Sequence, residues 1–303
     1  MNITTFHKGM YLNENELMEN SGICPFCKSD KIEWAFTLQR SPDIHLMKCR
    51  RCYAVSASRM PIGNVLSDYY NIYYNDNDKG VTIGSPQKFA YHIKNRINFL
   101  SSRKTLNVLD FGSGSGAISL LLSEYFIKMG VEKIELTLVD YNTEYVNSEI
   151  PELYIDSYEN IEQIPAKKFD IIIASAVVEH IPNPVPVITA LLNSLNEGGV
   201  FYARTPYALP LIKLLDTFKL KIDFTYPGHL HDLGCDFWNN ILKWINVKGH
   251  YDILYSNPSI VETSFKENFI RTCIATLMKL PWYLLKNNYN LVGGWEIFIK
   301  RKA

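Results

Sequence analysis

Four cysteines stand in two tight pairs, Cys24-Pro25-Phe26-Cys27 and Cys49-Arg50-Arg51-Cys52, separated by 21 residues. A C-x-x-C turn offers two sulfurs to one ion, and two such turns at this spacing can build a four-thiolate tetrahedral site for Zn2+. Because all four coordination positions are thiolates, the metal is expected to be structural rather than catalytic. Between the pairs, Trp34, Phe36 and Leu38 alternate, followed by Leu46 and Met47. This predicts a small hairpin whose core is too poor to fold without its ion. Cys235 and Cys273 stand alone, which is a pattern of ligands plus spare thiols rather than a disulfide framework.

A second set of residues suggests binding of a nucleoside. Val108-Leu109-Asp110-Phe111 runs into Gly112-Ser113-Gly114-Ser115-Gly116: an apolar strand, an acid, then a glycine turn that opens a helix. Glycines serve where the chain needs positive φ and where a ligand must approach the main chain with no Cβ in the way. Gly112, Gly114 and Ala117 also fit the dinucleotide fingerprint, so a nicotinamide oxidoreductase is an alternative. Asp110 argues against it, since an acid two residues before the first glycine would repel a pyrophosphate and attract a cationic amino group. Asp140 closes the strand Leu136-Thr137-Leu138-Val139 and is placed to accept hydrogen bonds from ribose hydroxyls in either cofactor class.

Candidates for proton transfer follow. Glu179 and His180 come after the run Phe169 to Ser175, and His229 and His231 lie in Pro227-Gly228-His229-Leu230-His231-Asp232. A histidine titrates near working pH; His231 is the first choice of base, then His180, with Glu179 orienting a neighbour. A histidine bonded to a loop carbonyl is the alternative for each. Arg204 and Tyr207 are candidates for acceptor contact, Arg204 alternatively for a structural ion pair.

These groups must be held by a scaffold, and its pattern is legible. From Ser85-Pro86 onward, Phe89, Ile93, Ile97 and Leu100 share a helical face. Strands at 107–111, 135–139, 169–175 and 200–204 alternate with helices at 117–129 and 185–195, which predicts a doubly covered, mostly parallel α/β sheet. A strand at 251–255, a helical insert at about 264–286 and a closing strand at 295–301 complete the chain. The insert, with Phe265, Phe269, Trp282 and Tyr283, is expected to be a plain packed helix, with a lid or a dimer surface as alternatives. The domain division is a zinc-ribbon module at 1–60, a tyrosine-rich connector at 61–84 whose tyrosines serve packing, and the α/β domain at 85–303.

The chain has 303 residues, 47% of them apolar, with 31 basic residues balanced by 31 acidic ones. That is enough for a sizeable core and gives no global positive field for a phosphate backbone. Nucleic acid is therefore an unfavoured partner. No window reaches the roughly 18 apolar residues of a membrane span, and the segment 1–8 has no apolar leader core. The reading is a cytoplasmic protein with no membrane partner, and a homodimer is allowed.

Taken in order, Val108 to Gly116, Asp140, Phe169 to Pro182 and Leu195-Asn196-Glu197-Gly198-Gly199-Val200-Phe201 resemble the class I S-adenosylmethionine-dependent methyltransferases. The likeness is to the branch with quinone-biosynthesis and sugar methyltransferases, strongest over 85–205. It implies a Rossmann-like seven-stranded sheet with an antiparallel last strand. It also implies a cofactor contacted by Asp110, Gly112, Ser113, Gly114, Gly116, Asp140, Tyr141 and Ser175, with Asp156 and Ser157 at the adenine edge. Asn196-Glu197 replaces the lysine-proline common before the paired glycines. The acceptor implied is a hydroxyl or carbon of a sugar or nucleotide sugar. An RNA methyltransferase with a basic face around Lys28, Lys31, Lys48, Arg50 and Arg51, or an inactive binding module, are the alternatives.

Overall fold

The computed structural model describes residues 9–75, 85–141, 148–220, 223–263, 265–266, 268–286 and 289–303, with the side chains of 71–75 excepted. The leader reading at 1–8 and positions 76–84 of the expected connector lie outside the described residues.

The ribbon module opens the chain with β1 (Ile32–Arg40), β2 (Asp43–Cys49) and β3 (Val55–Ala57). The expected hairpin forms, as β1 and β2 pair antiparallel. Its inward face is not the one that alternation predicted. Register shifts between Trp34 and Phe36 and between Thr37 and Gln39 move the pleat out of phase. Ala35 and Gln39 are buried and Trp34 is 60% exposed. Gln39 stays satisfied by bonding the Leu12 backbone in both directions.

After β3 come α1 (Gly63–Asn75) and α2 (Pro86–Arg96). Proline occupies the first helical position of α2, where its missing N–H costs nothing. Then follow β4 (Thr105–Phe111), α3 (Ala117–Lys128), β5 (Lys133–Val139), β6 (Leu153–Tyr158), β7 (Phe169–Ser175), α4 (Pro184–Asn193) and β8 (Leu195–Tyr207). The chain ends with α5 (Leu209–Thr217), β9 (His231–Asp232), α6 (Cys235–Asn240), β10 (Tyr251–Pro258), α7 (Phe269–Leu285) and β11 (Gly293–Arg301).

Seven strands form one sheet in the order β10-β11-β8-β7-β4-β5-β6. The five on the β6 side are parallel, and β11 runs antiparallel to both β8 and β10, as the expected architecture requires. Every residue of β7 is buried, as suits a central strand covered by helices on both faces. Its first acid, Asp170, is compensated: Asn107 donates its backbone N–H at 2.8 Å and Asn196 its side-chain amide at 2.8 Å, and Arg103 pairs with the same carboxylate. β8 begins earlier than its apolar run because Gly199 lets strands close: a Cβ there would sit 2.9 Å from two backbone oxygens.

The ribbon's sheet does not end with its own strands. Its order is β1-β2-β3-β9, so a two-residue strand from the α/β domain supplies the fourth. The cores merge accordingly, with Cys24, Phe26, Cys49, Cys52 and Ala54 packed in one buried cluster with Leu233, Phe237, Trp238 and Trp295.

The insert forms the expected helix but is not plainly packed. In α7 only Thr272 and Trp282 are buried, while Ile270, Ile274, Leu277, Leu280 and Leu284 are all at least half exposed.

Candidate active site

Parallel strands put their carboxyl ends on one edge of the sheet, and ligands of such sheets bind where the strand order reverses. Here that point lies between β4, which continues to β5 and β6 on one side, and β7 on the other. The loops after these strands carry the residues read from the sequence.

The glycine turn after β4 is tied to β5. Gly112 and Ser113 both donate their N–H to the Val139 carbonyl, at 2.8 and 3.1 Å. Gly112, Gly114 and Gly116 all have positive φ. At Gly112 a Cβ would fall 2.6 Å from Val177 Cγ2, whereas at Gly114 it would meet nothing within 4 Å. The first glycine is therefore required by the protein's own packing, and the second borders open space. Asp140 accepts the Gly114 N–H at 2.8 Å on Oδ2 and donates its own N–H to the Tyr158 carbonyl at 3.2 Å. Asp140 thus holds the glycine loop against β5 and β6.

Two polar groups here are buried at a cost. Asp110 is 4% exposed, and burial pushes its carboxyl up to about 7, with the neighbouring Asp140 charge adding to this against a bond from Ser119. Ser113 Oγ is buried and has no hydrogen-bond partner. An ammonium-bearing ligand with hydrogen-bonding edges would relieve both, so the residues present fit an amino-acid-bearing nucleoside.

The other positions read as cofactor contacts are spread along the same edge. Ser175 ends β7 and accepts a hydrogen bond from Arg204 Nε at 3.2 Å. Tyr141 follows β5 and is 85% exposed. Asp156 and Ser157 pair with Thr137 and Leu138, one to two residues inside the strand tip, where Tyr158 lies level with Val139.

Beyond β7 the chain turns through a short 3-10 segment, Val178–His180. Glu179, His180 and His229 come together there, with ligating atoms all within 4.8 Å of one another. The two rings lie 5.0 Å apart. His180 Nδ1 donates to the Gly228 carbonyl at 2.6 Å, since a carbonyl only accepts. Burial holds the His180 pKa below the ordinary value, against the Gly228 and Ala176 carbonyls that raise it. The Nδ1 proton of His229 is shared between Thr225 Oγ1 at 2.6 Å and the Phe224 carbonyl at 3.1 Å. Glu179 is buried with Oε2 unpartnered, and burial pushes its carboxyl up to about 8 despite the Arg204 charge.

His231, the first choice of base, is placed elsewhere. It is fully buried, donating from Nε2 to the Ile181 carbonyl at 2.9 Å and accepting at Nδ1 from Ser56 Oγ at 2.9 Å. Phe26 of the first cysteine pair packs edge-on against its ring at 4.9 Å. Both nitrogens are engaged, burial lowers its pKa to about 4, and it joins ribbon to domain. Arg204 forms the ion pair, with Glu262, and its guanidinium lies 4.7 Å over the Phe89 ring. Tyr70 of α1, read as packing, meets the His180 ring edge-on at 6.0 Å. A tyrosine-rich run gives no hint which ring will reach the site.

The cysteines match their expected role. Cys24 Sγ and Cys52 Sγ are 3.5 Å apart, as are Cys27 Sγ and Cys49 Sγ, too far for disulfides and near the edge of a thiolate tetrahedron with bonds of about 2.3 Å. All four sulfurs lie within 4.8 Å of one another. Arg51 N–H points at Cys49 Sγ at 3.3 Å, the usual stabilisation of a ligating thiolate. The residues fit structural zinc, which would fix both turns.

A family model described as a methyltransferase domain matches residues 87–240, just over half of the chain and the whole of the edge described above. The chain belongs to the methyltransferase-domain family. Among curated members, the ubiquinone biosynthesis O-methyltransferase of Histophilus somni is 29% identical over 162 residues, spanning 49% of this chain and 63% of that enzyme. The enzyme of the same name from Colwellia psychrerythraea is 26% identical over 216 residues, spanning 62% and 82%. Among solved structures, the plantazolicin methyltransferase BamL, in complex with a triazolic desmethylPZN analog and SAH, is similar at 18% identity and TM-score 0.49, over 78% of this chain and 91% of that one. In this methyltransferase-domain protein no described helix is long and apolar enough to cross a membrane.

Proposed function

We propose that the chain transfers a methyl group from S-adenosylmethionine to a hydroxyl oxygen of a small metabolite. The observation that carries this reading is the pairing of Asp140 with the Gly114 N–H beside the buried Asp110 and the orphaned Ser113 hydroxyl. That set suits ribose hydroxyls on one side and a cationic amino acid on the other. When bound, the cofactor supplies an electrophilic methyl carbon on a sulfonium.

The protein's own task is alignment and proton removal. Val177 packs on Gly112, which brings the loop bearing Glu179 and His180 against the cofactor turn. His180, held by the Gly228 carbonyl with His229 beside it, is the group that takes the hydroxyl proton in this reading. Glu179, kept largely protonated at neutral pH by burial, donates rather than competes as base.

The oxygen acceptor is favoured because the named relatives are O-methyltransferases of ubiquinone biosynthesis. None of those named modifies a sugar, so a quinone-precursor phenol ranks ahead of the nucleotide sugar expected from the sequence. Calorimetric titration with S-adenosylhomocysteine and, separately, NAD tests the cofactor. Binding of NAD alone, or of neither, overturns the reading. Methyl transfer to catechols against nucleotide sugars then orders the acceptors.

A further inference from the structure

Two neighbouring tyrosines of α1 close on the carbonyl that holds His180. Tyr70 donates its hydroxyl proton to the Gly228 oxygen at 3.4 Å, the same oxygen that accepts from His180 Nδ1 at 2.6 Å. A carbonyl has two lone pairs and can serve both donors. The Tyr70 ring also meets the imidazole edge-on, with centroids 6.0 Å apart and planes at 86°. Tyr69 lies against the same residue from its other atoms: a Cβ on Gly228 would sit 2.8 Å from the Tyr69 hydroxyl oxygen and 2.9 Å from its Cε1. The φ of Gly228 lies outside the left-handed region, so a glycine there serves this close approach and not a turn.

The helix that carries the two tyrosines is itself held in place. Val65, one turn before Tyr69, is buried in a cluster with Ala35, Ile44 and Leu46 of the ribbon and with Leu230 of the loop that carries Gly228. At its start, Ile62 donates its N–H to the Glu16 carbonyl at 3.0 Å. The loop in turn is tied to the 3-10 segment, because Leu230 donates its N–H to the Glu179 carbonyl at 2.8 Å.

We infer that Tyr70 is a positioning residue, which fixes the His180 imidazole through the Gly228 carbonyl and through the edge of its own ring. The torsion that sets a histidine ring plane is broad, and a bond to a carbonyl directs one nitrogen more firmly than it sets the plane. An aromatic edge packed at right angles restricts that remaining rotation. A base displaced by about 1 Å can lose about 100-fold in rate, so the contact matters to turnover. Its use in turnover rests on the reading of His180 as base, whereas the contact itself does not.

The test follows the His180 ring N–H by proton–nitrogen NMR of the whole protein with labelled histidine, no cofactor or acceptor being added. The signal is assigned by its loss in His180→Ala. Solvent exchange of this proton should be at least about tenfold faster in Tyr70→Leu than in wild type, and within about threefold of wild type in Tyr70→Phe, which keeps the ring. Gly228→Ala, which displaces Tyr69, should accelerate exchange as Tyr70→Leu does and replaces it if Tyr70→Leu does not fold. With catechol as acceptor, kcat should fall about tenfold in Tyr70→Leu and recover in Tyr70→Phe, while KM for S-adenosylmethionine stays within about twofold. Exchange equal to wild type in Tyr70→Leu and Gly228→Ala overturns the inference, as does a wild type with no protected His180 ring proton. Faster exchange together with normal turnover in His180→Ala upholds the contact and removes the base reading instead.

Discussion

Ser56 and His231 sit opposite one another in an antiparallel strand pair, and the serine hydroxyl bonds the imidazole Nδ1 at 2.9 Å. One belongs to the metal module and the other to the loop that also carries His229. Their contact ties the ribbon to the loop that bears the candidate residue His229.

Titration of His231 gives the first prediction. Its folded pKa of about 4 lies below the ordinary 6.5. Above pH 6.5 neither state holds the proton and stability is unaffected by this group. Between the two values only the unfolded chain is protonated, so acidification destabilises, and below about pH 4 the effect levels off. His231→Gln keeps hydrogen-bonding capacity without titrating. Urea unfolding from pH 7 to 4 should show the wild type losing about 3 kcal/mol more than the variant. The difference isolates this group from Asp110 and Glu179, whose raised values act in the opposite direction. Parallel curves would mean that His231 is not buried as described.

Metal removal should be felt beyond the ribbon. Cys49→Ser, or exhaustive chelation, should eliminate bound zinc in elemental analysis and lower the thermal midpoint by roughly 10 °C. Because Phe26 packs on His231 and on Phe237 at 4.8 Å, hydrogen exchange should accelerate around residues 228–238 as well as in the ribbon. Protection unchanged there would separate the two regions.

For the cofactor, Asp140→Ala removes the acceptor of the Gly114 N–H and the acid proposed to bind ribose. Calorimetry should show S-adenosylhomocysteine affinity reduced at least about 100-fold. A Kd within a few-fold of wild type would place the nucleoside elsewhere.

Once an acceptor is in hand, His180→Ala should lower kcat by roughly 100-fold or more with S-adenosylhomocysteine affinity retained, and His229→Ala should have a smaller effect. Equal losses would mark a shared role, and normal turnover in both would remove histidine from the chemistry.

The parallel core was legible in the sequence where burial made it uniform. β7 is a run of apolar residues covered on both faces, and its limits were read without error. The edge strand β6 was not read as a strand, since only Leu153 of its six residues is buried. β9 was out of reach for another reason: two residues form a strand only because β3, 175 positions earlier, offers an edge. The glycine turn and its link to Asp140 were readable from type and spacing, while the sequence put His231 ahead of His180 as base and gave His229 no rank. What sets His231 apart is that Ser56 and Ile181 enclose its ring, a fact of tertiary packing.

The partnership of β3 with β9 also bears on synthesis. A ribosome delivers the metal-binding segment long before the residues that complete its sheet, so the nascent ribbon can capture its ion while β3 remains an unpaired edge. That edge closes only once β8 and the loop beyond it have emerged. The joint between the modules therefore forms late, and a chain cut short before His231 would leave β3 as an open edge.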